Sequence, residues 1–538
     1  MQLSLKGIQD VQFWEKCEIT LPKFNCKAML NATEKSPVWV HFGGGNIFRA
    51  FIAVLQQKLL NEGLVQSGII VAEAFDYEII SKTYNPYDCL TLMVGLCPDG
   101  RTEKEVVASV AQAICADVTD AAGWGKLVSV FESPSLQMVS FTITEKGYVL
   151  TDTQDKYLPM VAEDIAGGPS VSRHVMSILA ALLLSRFKAG AKPVTLVSMD
   201  NCSRNGDLLK CSILTIARGW LKNGFVDEGF IGYITDDNKV SCPWTMIDKI
   251  TPYPADSVYK QLTDLGIEGM KPVVTSKSSF AAPFVNAEIP EYLVIEDKFP
   301  NGRPPLEKTG VYFTDRDTVS KTEKMKVATC LNPLHTALGI YGCLLGYDSI
   351  AAQMNDAELK ALALRIGYTE GMPVVSDPGI LSPMDFIREV VEQRLPNPFI
   401  PDTPQRIATD TSQKLSVRFG ETIKAYMTRS ELDVNTLIGI SLTLAGWLRY
   451  LLAVDDDGNN MPLDPDPMWE ELEALLKTVR FGDPGSVTNQ LKPILSNPII
   501  FGVDLYEAGL GKKVENLFKE LIGGPGAVRR VLQKYLTS

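Results

Sequence analysis

Between Pro37 and Gly63 the polarity pattern of the chain changes twice. PVWVHF is a short apolar run rich in β-formers, GGGN interrupts it, and IFRAFIAVLQQKLLNEG continues with helical period. Strand, glycine turn and helix in that order open a dinucleotide-binding βαβ unit. GIIVAEAFD (68–76) then reads as a second strand. LQMVSFTI, VTLVSM and YLVIED read as later ones, separated by helix-like stretches such as SRHVMSILAALLLSRFKAG. The first three hundred residues are therefore expected to be α/β with a mostly parallel sheet. From about residue 325 the strand signal fades. TALGIYGCLLGYDSIAAQM, DAELKALALRIGYTEGM, TLIGISLTLAGWLRYLLAV and MWEELEALLKTV all carry helical period. The pattern predicts a Rossmann-type domain over 1–310 and a mainly α-helical domain over 311–538. The Pro-rich loop FPNGRPPLE lies near the boundary.

Composition narrows the function. With 538 residues, the chain is too long for one ordinary core. A net charge of −12 and the lack of any long Lys/Arg block exclude a phosphate-tracking surface, so nucleic acid is not an expected partner. The ten cysteines form no CxxC pair and no cluster with histidine, so neither zinc nor a disulfide framework is expected. Free thiols point to a reducing compartment. The N-terminal MQLSLKGIQDVQFWEK lacks a signal pattern, and no uncharged run reaches the roughly 18–20 residues of a membrane span. A cytoplasmic protein is expected; a monomer or a small homo-oligomer both fit.

In HFGGGNIFRA, Gly43 and Gly45 take the first two positions of GxGxxG, where backbone N–H groups can approach a pyrophosphate, and Phe48 takes the third. A ring must therefore fit where glycine usually allows tight helix packing. The coenzyme is expected to meet Gly43, Gly45, Asn46, Ile47, Phe48 and Arg49. Glu73, at the end of the next strand, is the expected acceptor for a ribose hydroxyl, with Asp76 as the alternative; an acid there favours NAD over NADP.

KMKVATCLNPLHTALG carries Lys326, Asn332 and His335 on an otherwise apolar segment. An ammonium, an amide donor and an imidazole are the parts needed to move a proton on and off an alcohol oxygen while a hydride leaves the carbon. Asn332 and His335 are three apart and share a helix face. A core histidine is the other reading. In SMDNCSRNGD, Asp200, Asn201 and Asn205 follow a strand directly, where parallel-sheet proteins keep ligands, although they also suit a turn. Glu145 and Lys146 in TEKGY either face the same crevice or form a solvated loop, and Asp248 precedes a proline-bounded turn. Arg406, Lys414 and Arg418 lie in a Ser/Thr-rich segment that supplies either a charged solvent face or cations for an anionic or polyhydroxylated substrate.

In sequence order, HFGGGNIFRA, FTITEKGY, SMDNCSRNGD, TMIDKITP, VIEDKFPNGRPPLEKTGV, EKMKVATCLNPLHTALG and RIATDTSQK together resemble the polyol-specific long-chain dehydrogenase/reductase family, which includes mannitol dehydrogenases and fructuronate reductases. The resemblance runs from about residue 37 to the C-terminal region. It implies an extended Rossmann domain followed by a helical domain, metal-independent catalysis and NAD(H) or NADP(H). It also implies Lys326 as catalytic acid/base, Asn201 and Asn332 as alkoxide donors and His335 as the substrate-orienting residue. Asp248 is its supporting aspartate, Arg406 and Lys414 its substrate contacts. Glu145 joins the coenzyme contacts and Lys146 the substrate contacts. Ordinary lysine titrates near ~10.4, so oxidation near neutrality needs burial or a cationic neighbour at Lys326.

One departure stands out. The family shows K-x-x-x-x-N, whereas Lys326 precedes Asn332 by six positions. An extra residue in a regular helix rotates the preceding turn by about 100°. A π-bulge between Lys326 and Asn332 is predicted to absorb it. TEKGY resembles uronate reductases more than the TEGGY of mannitol enzymes, which favours fructuronate/mannonate over mannitol/fructose. The competing expectations are a mannitol or other polyol 2-dehydrogenase, a decarboxylating hydroxyacid dehydrogenase, and a non-catalytic dinucleotide sensor or scaffold.

Overall fold

The computed structural model describes residues 1–536 and divides after Ser320 into two units. The first is built on a six-stranded sheet. Its strands are β1 (Trp39–Phe42), β2 (Ile69–Glu73), β3 (Val110–Cys115), β4 (Met138–Phe141), β5 (Val194–Ser198) and β6 (Val240–Ser241). Their spatial order is β3-β2-β1-β4-β5-β6, and every neighbouring pair is parallel. The order reverses between β1 and β4. The carboxyl ends of those two strands are where a sheet of this kind leaves a crevice.

Both faces of the sheet are covered, so the strands read as nearly continuous apolar runs. Val40 and Phe42 of β1 enter one cluster, with residues of α2 (Val175–Lys188) and α3 (Asn205–Lys222). Trp39 enters the opposite one, with Val54, Leu55 and Leu59 of α1 (Ala53–Asn61). The two-residue period of the strand accounts for the split.

YLVIED forms a strand (Tyr292–Glu296), but not in this sheet. It pairs antiparallel with Thr245–Asp248 and parallel with Tyr312–Thr314. Through that last pairing residues 312–314 belong to the first unit, and the division into units falls inside the helix Arg316–Met325. A four-stranded mixed sheet and the hairpin Val273–Val274/Phe280–Ala281 complete the unit.

From Lys321 onward the described residues form helices and turns, with isolated bridges only. α4 (Asn332–Leu344) and α5 (Ile438–Tyr450) are apolar almost all round, as central helices must be. Tyr341 donates to the Leu442 carbonyl at 2.7 Å. Gly446 admits the ring, since a Cβ there would stand 2.7 Å from Tyr341 Cζ. Buried Glu370 accepts the N–H groups of Ile438, Gly439 and Ile440 and so caps α5. No helix among the described residues is long and apolar enough to cross a membrane.

Candidate functional site

In the first unit, Gly43 follows β1 with φ 101°, and a Cβ there would lie 2.3 Å from the Thr142 carbonyl oxygen at the end of β4. Only glycine allows the two strand ends to approach so closely. At Gly45 an added Cβ would meet nothing within 4 Å, so the loop opens onto free space. Phe48 fits in place of a third glycine because the helix begins with a π turn (Phe48–Ile52) and the ring stacks on His41, with centroids 4.2 Å apart. The His41 nitrogens meet the Ser140 and Thr142 hydroxyls at 2.6 and 2.8 Å, and burial lowers its pKa to about 3. It is a neutral strut. Ile47 packs against the core.

Two of the expected coenzyme contacts are engaged within the protein. Arg49 is turned inward: its guanidinium donates to the Ala282 carbonyl at 2.6 Å and to Asn46 Oδ1 at 2.9 Å, and stands over the Tyr84 ring. It tethers the loop, taking Asn46 Oδ1 with it, and is only 1% exposed. Glu73, expected as the ribose acceptor, instead receives the N–H groups of Gly44, Phe75 and Asp76 at 3.0, 3.0 and 3.3 Å. Burial raises its pKa against those hydrogen bonds. Asp76 differs. Its Oδ2 accepts from Thr275 at 2.6 Å, while buried Oδ1 has no partner among the described residues.

At the end of β5, Asp200 gathers the loop after β4. Its carboxylate accepts from the Ile143 and Thr144 N–H groups and from the Tyr148 hydroxyl, at 3.1, 2.8 and 2.6 Å. Thr144 has φ 62°, ψ 165°, a backbone region unusual for a β-branched residue. Glu145 and Lys146 follow, both exposed, in a single 3-10 turn. Asn201 is exposed beside Asp200, and Asn205 is buried as a brace between the Asp200 carbonyl and Thr245. Asp248 is buried at the end of its strand. The role of Tyr148 was hidden in the sequence, because nothing local ties a tyrosine to an aspartate 52 residues away.

The second unit separates the two lysines of KMK. Lys324 is exposed and pairs with Glu421 at 2.7 Å; Lys326 is 1% exposed. Lys326 starts a π turn (Lys326–Cys330) closed by Leu331 N–H donating to its carbonyl at 3.1 Å. A bend at Leu331 follows, and α4 begins at Asn332 with Pro333 in its first turn. The Asn332 carboxamide has no hydrogen-bond partner among the described residues, while its carbonyl accepts from the Thr336 hydroxyl at 2.8 Å.

One turn on, His335 Nε2 lies 2.5 Å from Asp402 Oδ2, at an angle outside hydrogen-bond geometry. Asp402 also receives Arg406 at 2.5 Å. Burial pushes its carboxyl up, but His335 and Arg406 more than offset this and hold it below the usual range. Lys414 donates to the Ile407 and Thr409 carbonyls, and burial together with Arg418 and Arg406 lowers its pKa to about 8. Arg418 Nη1 donates to the Thr336 hydroxyl at 2.5 Å. Asp402 and Thr336 were missed in the sequence; the available signal was an aspartate four residues before Arg406.

Residues 38–308 match the family model of the mannitol dehydrogenase Rossmann domain, and residues 318–522 that of the mannitol dehydrogenase C-terminal domain. The chain belongs to the mannitol dehydrogenase family. A D-mannonate oxidoreductase of Thermotoga maritima is 52% identical over 536 residues, covering 99% of each chain. A mannitol 2-dehydrogenase of Pyrenophora tritici-repentis is 30% identical over 443 residues, covering 81% of this chain and 72% of that one. The structure of Pseudomonas fluorescens mannitol 2-dehydrogenase in ternary complex with NAD and D-mannitol aligns with a TM-score of 0.72 at 26% identity, covering 100% of both chains. In this member of the mannitol dehydrogenase family, a π turn lies over Lys326–Cys330, between the lysine and Asn332, where one was predicted.

Proposed function

We propose that the chain catalyses reversible hydride transfer between NAD(H) and a secondary alcohol carbon of an open-chain sugar acid of the mannonate/fructuronate type, with Lys326 as general acid and base. The observation that carries this reading is the burial of Lys326 in the π turn leading to Asn332 and His335, in a unit that also gathers Arg406, Lys414 and Arg418. The name of the Thermotoga relative, D-mannonate oxidoreductase, supports the sugar acid over a neutral polyol. Ten free thiols support a reducing, cytoplasmic setting.

The first unit fits a dinucleotide. Gly45 leaves room for a pyrophosphate, and an acid at or just after the end of β2, Glu73 or Asp76, favours NAD over NADP. When bound, NAD(H) gives or takes the hydride. In reduction Lys326 passes a proton to the carbonyl oxygen of the substrate, and in oxidation its neutral amine takes that proton back. The Asn332 carboxamide donates to the oxygen as charge grows on it, where loss of one donor typically costs about 10²–10³ in rate. His335, held by Asp402, orients the substrate hydroxyls. Asn201 as the second alkoxide donor and Asp248 as its support belong to the same proposal.

Steady-state assays with NADH and fructuronate, tagaturonate or fructose test it. Turnover of fructuronate well above fructose is expected. Preference for fructose would move the reading to a polyol 2-dehydrogenase, and NADH binding without turnover of any substrate would leave a sensor.

A further inference from the structure

Phe75 is an apolar ring left 69% exposed beside the glycine loop's neighbour strand. It stands just past the carboxyl end of β2, between Glu73 and Asp76, and in a sheet of this kind the dinucleotide crevice opens at the carboxyl ends of the strands. Its backbone is held. The Phe75 N–H donates to Glu73 Oε1 at 3.0 Å, and Asp76 beside it accepts from the Thr275 hydroxyl at 2.6 Å.

Thr275 lies in the turn of the hairpin Val273–Val274/Phe280–Ala281, and this segment is bound to the coenzyme loops at three points. Thr275 holds Asp76, the Ser276 N–H donates to Glu78 Oε1 at 3.1 Å, and the carbonyl of Ala282, next after the hairpin, accepts from the Arg49 guanidinium at 2.6 Å. The turn after β2 and the glycine loop therefore share one frame. From the same hairpin turn Lys277 reaches back, with Nζ 5.3 Å from the centroid of the Phe75 ring. The ring is steadied by this cation, yet most of its area still faces outward. Exposed apolar surface at the edge of a ligand crevice marks a binding face.

We infer that Phe75 is the platform on which the adenine of the dinucleotide stacks, with the hairpin and Lys277 holding its ring in place. The inference rests on dinucleotide binding and adds which residue takes the base. A flat aromatic face next to the acids weighed for the ribose suits a purine, because stacking of a base on a ring needs no hydrogen-bond partner.

Calorimetric titration of NADH and of ADP-ribose into wild type, Phe75→Ala, Phe75→Leu and Phe75→Tyr tests it without any turnover. Phe75→Ala is expected to raise Kd about tenfold for both ligands alike, the scale of one base stacked on a ring. Phe75→Tyr keeps the ring and should stay near wild type, whereas Phe75→Leu keeps apolar bulk without a π face and should fall closer to Phe75→Ala. The Leu variant carries the test should Phe75→Ala not fold.

A residue that only supports the loop would be replaced as well by leucine as by tyrosine, and that result overturns the inference. So does an unchanged Kd in folded Phe75→Ala, or a loss confined to NADH, which would place the ring at the nicotinamide half. Wild type that binds neither ligand would instead fail the dinucleotide reading itself and take the platform with it.

Discussion

His335 Nε2 and Asp402 Oδ2 stand 2.5 Å apart, and the other oxygen of the same carboxylate receives Arg406. One buried acid thus fixes a ring on α4 and a cation on the segment that follows. Replacing it by asparagine should free both. Asp402→Asn is expected to lower kcat about tenfold by letting His335 swing, a typical cost of small misplacement near the reacting atoms. The pH dependence follows from the direction of its shift. The carboxyl is held below its ordinary range in the folded chain, so the unfolded chain takes up its proton first as pH falls. The stability it contributes is full above about pH 4 and is lost as pH drops through the folded value. The gap in Tm between wild type and Asp402→Asn should shrink as pH is lowered from about 6 to about 3.

Lys326 offers a sharper test, because its neighbour Lys324 is an internal control. Lys326→Ala is expected to reduce turnover by about 10²-fold or more with little change in NADH affinity. Lys324→Ala removes only an exposed pair with Glu421 and should stay close to wild type. Inserting an alanine after Val327 would rotate the buried amine by about 100° relative to Asn332 and should resemble Lys326→Ala. Turnover of purified variants checks all three. Wild-type rates for Lys326→Ala would remove the lysine from the mechanism.

The parallel strands and the central helices were legible because burial on two faces writes itself into unbroken apolar runs, as in β1, β5, α4 and α5. The π turn was legible because one residue too many between Lys326 and Asn332 has few places to go in a helix. The destination of YLVIED was not, since a run of apolar residues does not say which sheet it joins. Glu73, Asp76 and Arg49 show a further limit. The spacing identified charged groups near a glycine loop, but their division between bracing the loop and facing a ligand depends on partners such as Gly44, Thr275 and Ala282, remote in sequence or unmarked in it.

Lys414 should leave a trace in the pH profile. Its pKa of about 8 means that its positive charge is present near neutrality and lost as pH rises through that value. A bound carboxylate favours the charged form and is in turn held less well once the charge is gone. KM for D-mannonate is therefore expected to rise above about pH 8, while KM for D-mannitol does not follow it. Parallel profiles for the two substrates would dissociate Lys414 from anion binding.

The two acids after β2 are expected to part company. Glu73 receives backbone N–H groups on both oxygens, and a glutamine there would turn an amino group toward at least one of them. Glu73→Gln should cost about 1–3 kcal/mol of stability, the scale of a buried donor left without its acceptor, and lower Tm. Asp76 keeps its hydrogen bond from Thr275 on one oxygen, and its buried Oδ1 has no partner among the described residues. Asp76→Asn should retain Tm within a few degrees yet weaken NADH binding about tenfold, because an amide on that side no longer accepts as a carboxylate does. Losing the negative charge should also narrow the preference for NADH over NADPH, since the charge that repels a 2′-phosphate is gone. Titration of both coenzymes against both variants, beside their melting curves, separates the two roles. Loss of NADH affinity in Glu73→Gln at unchanged Tm, with Asp76→Asn unaffected, would exchange them.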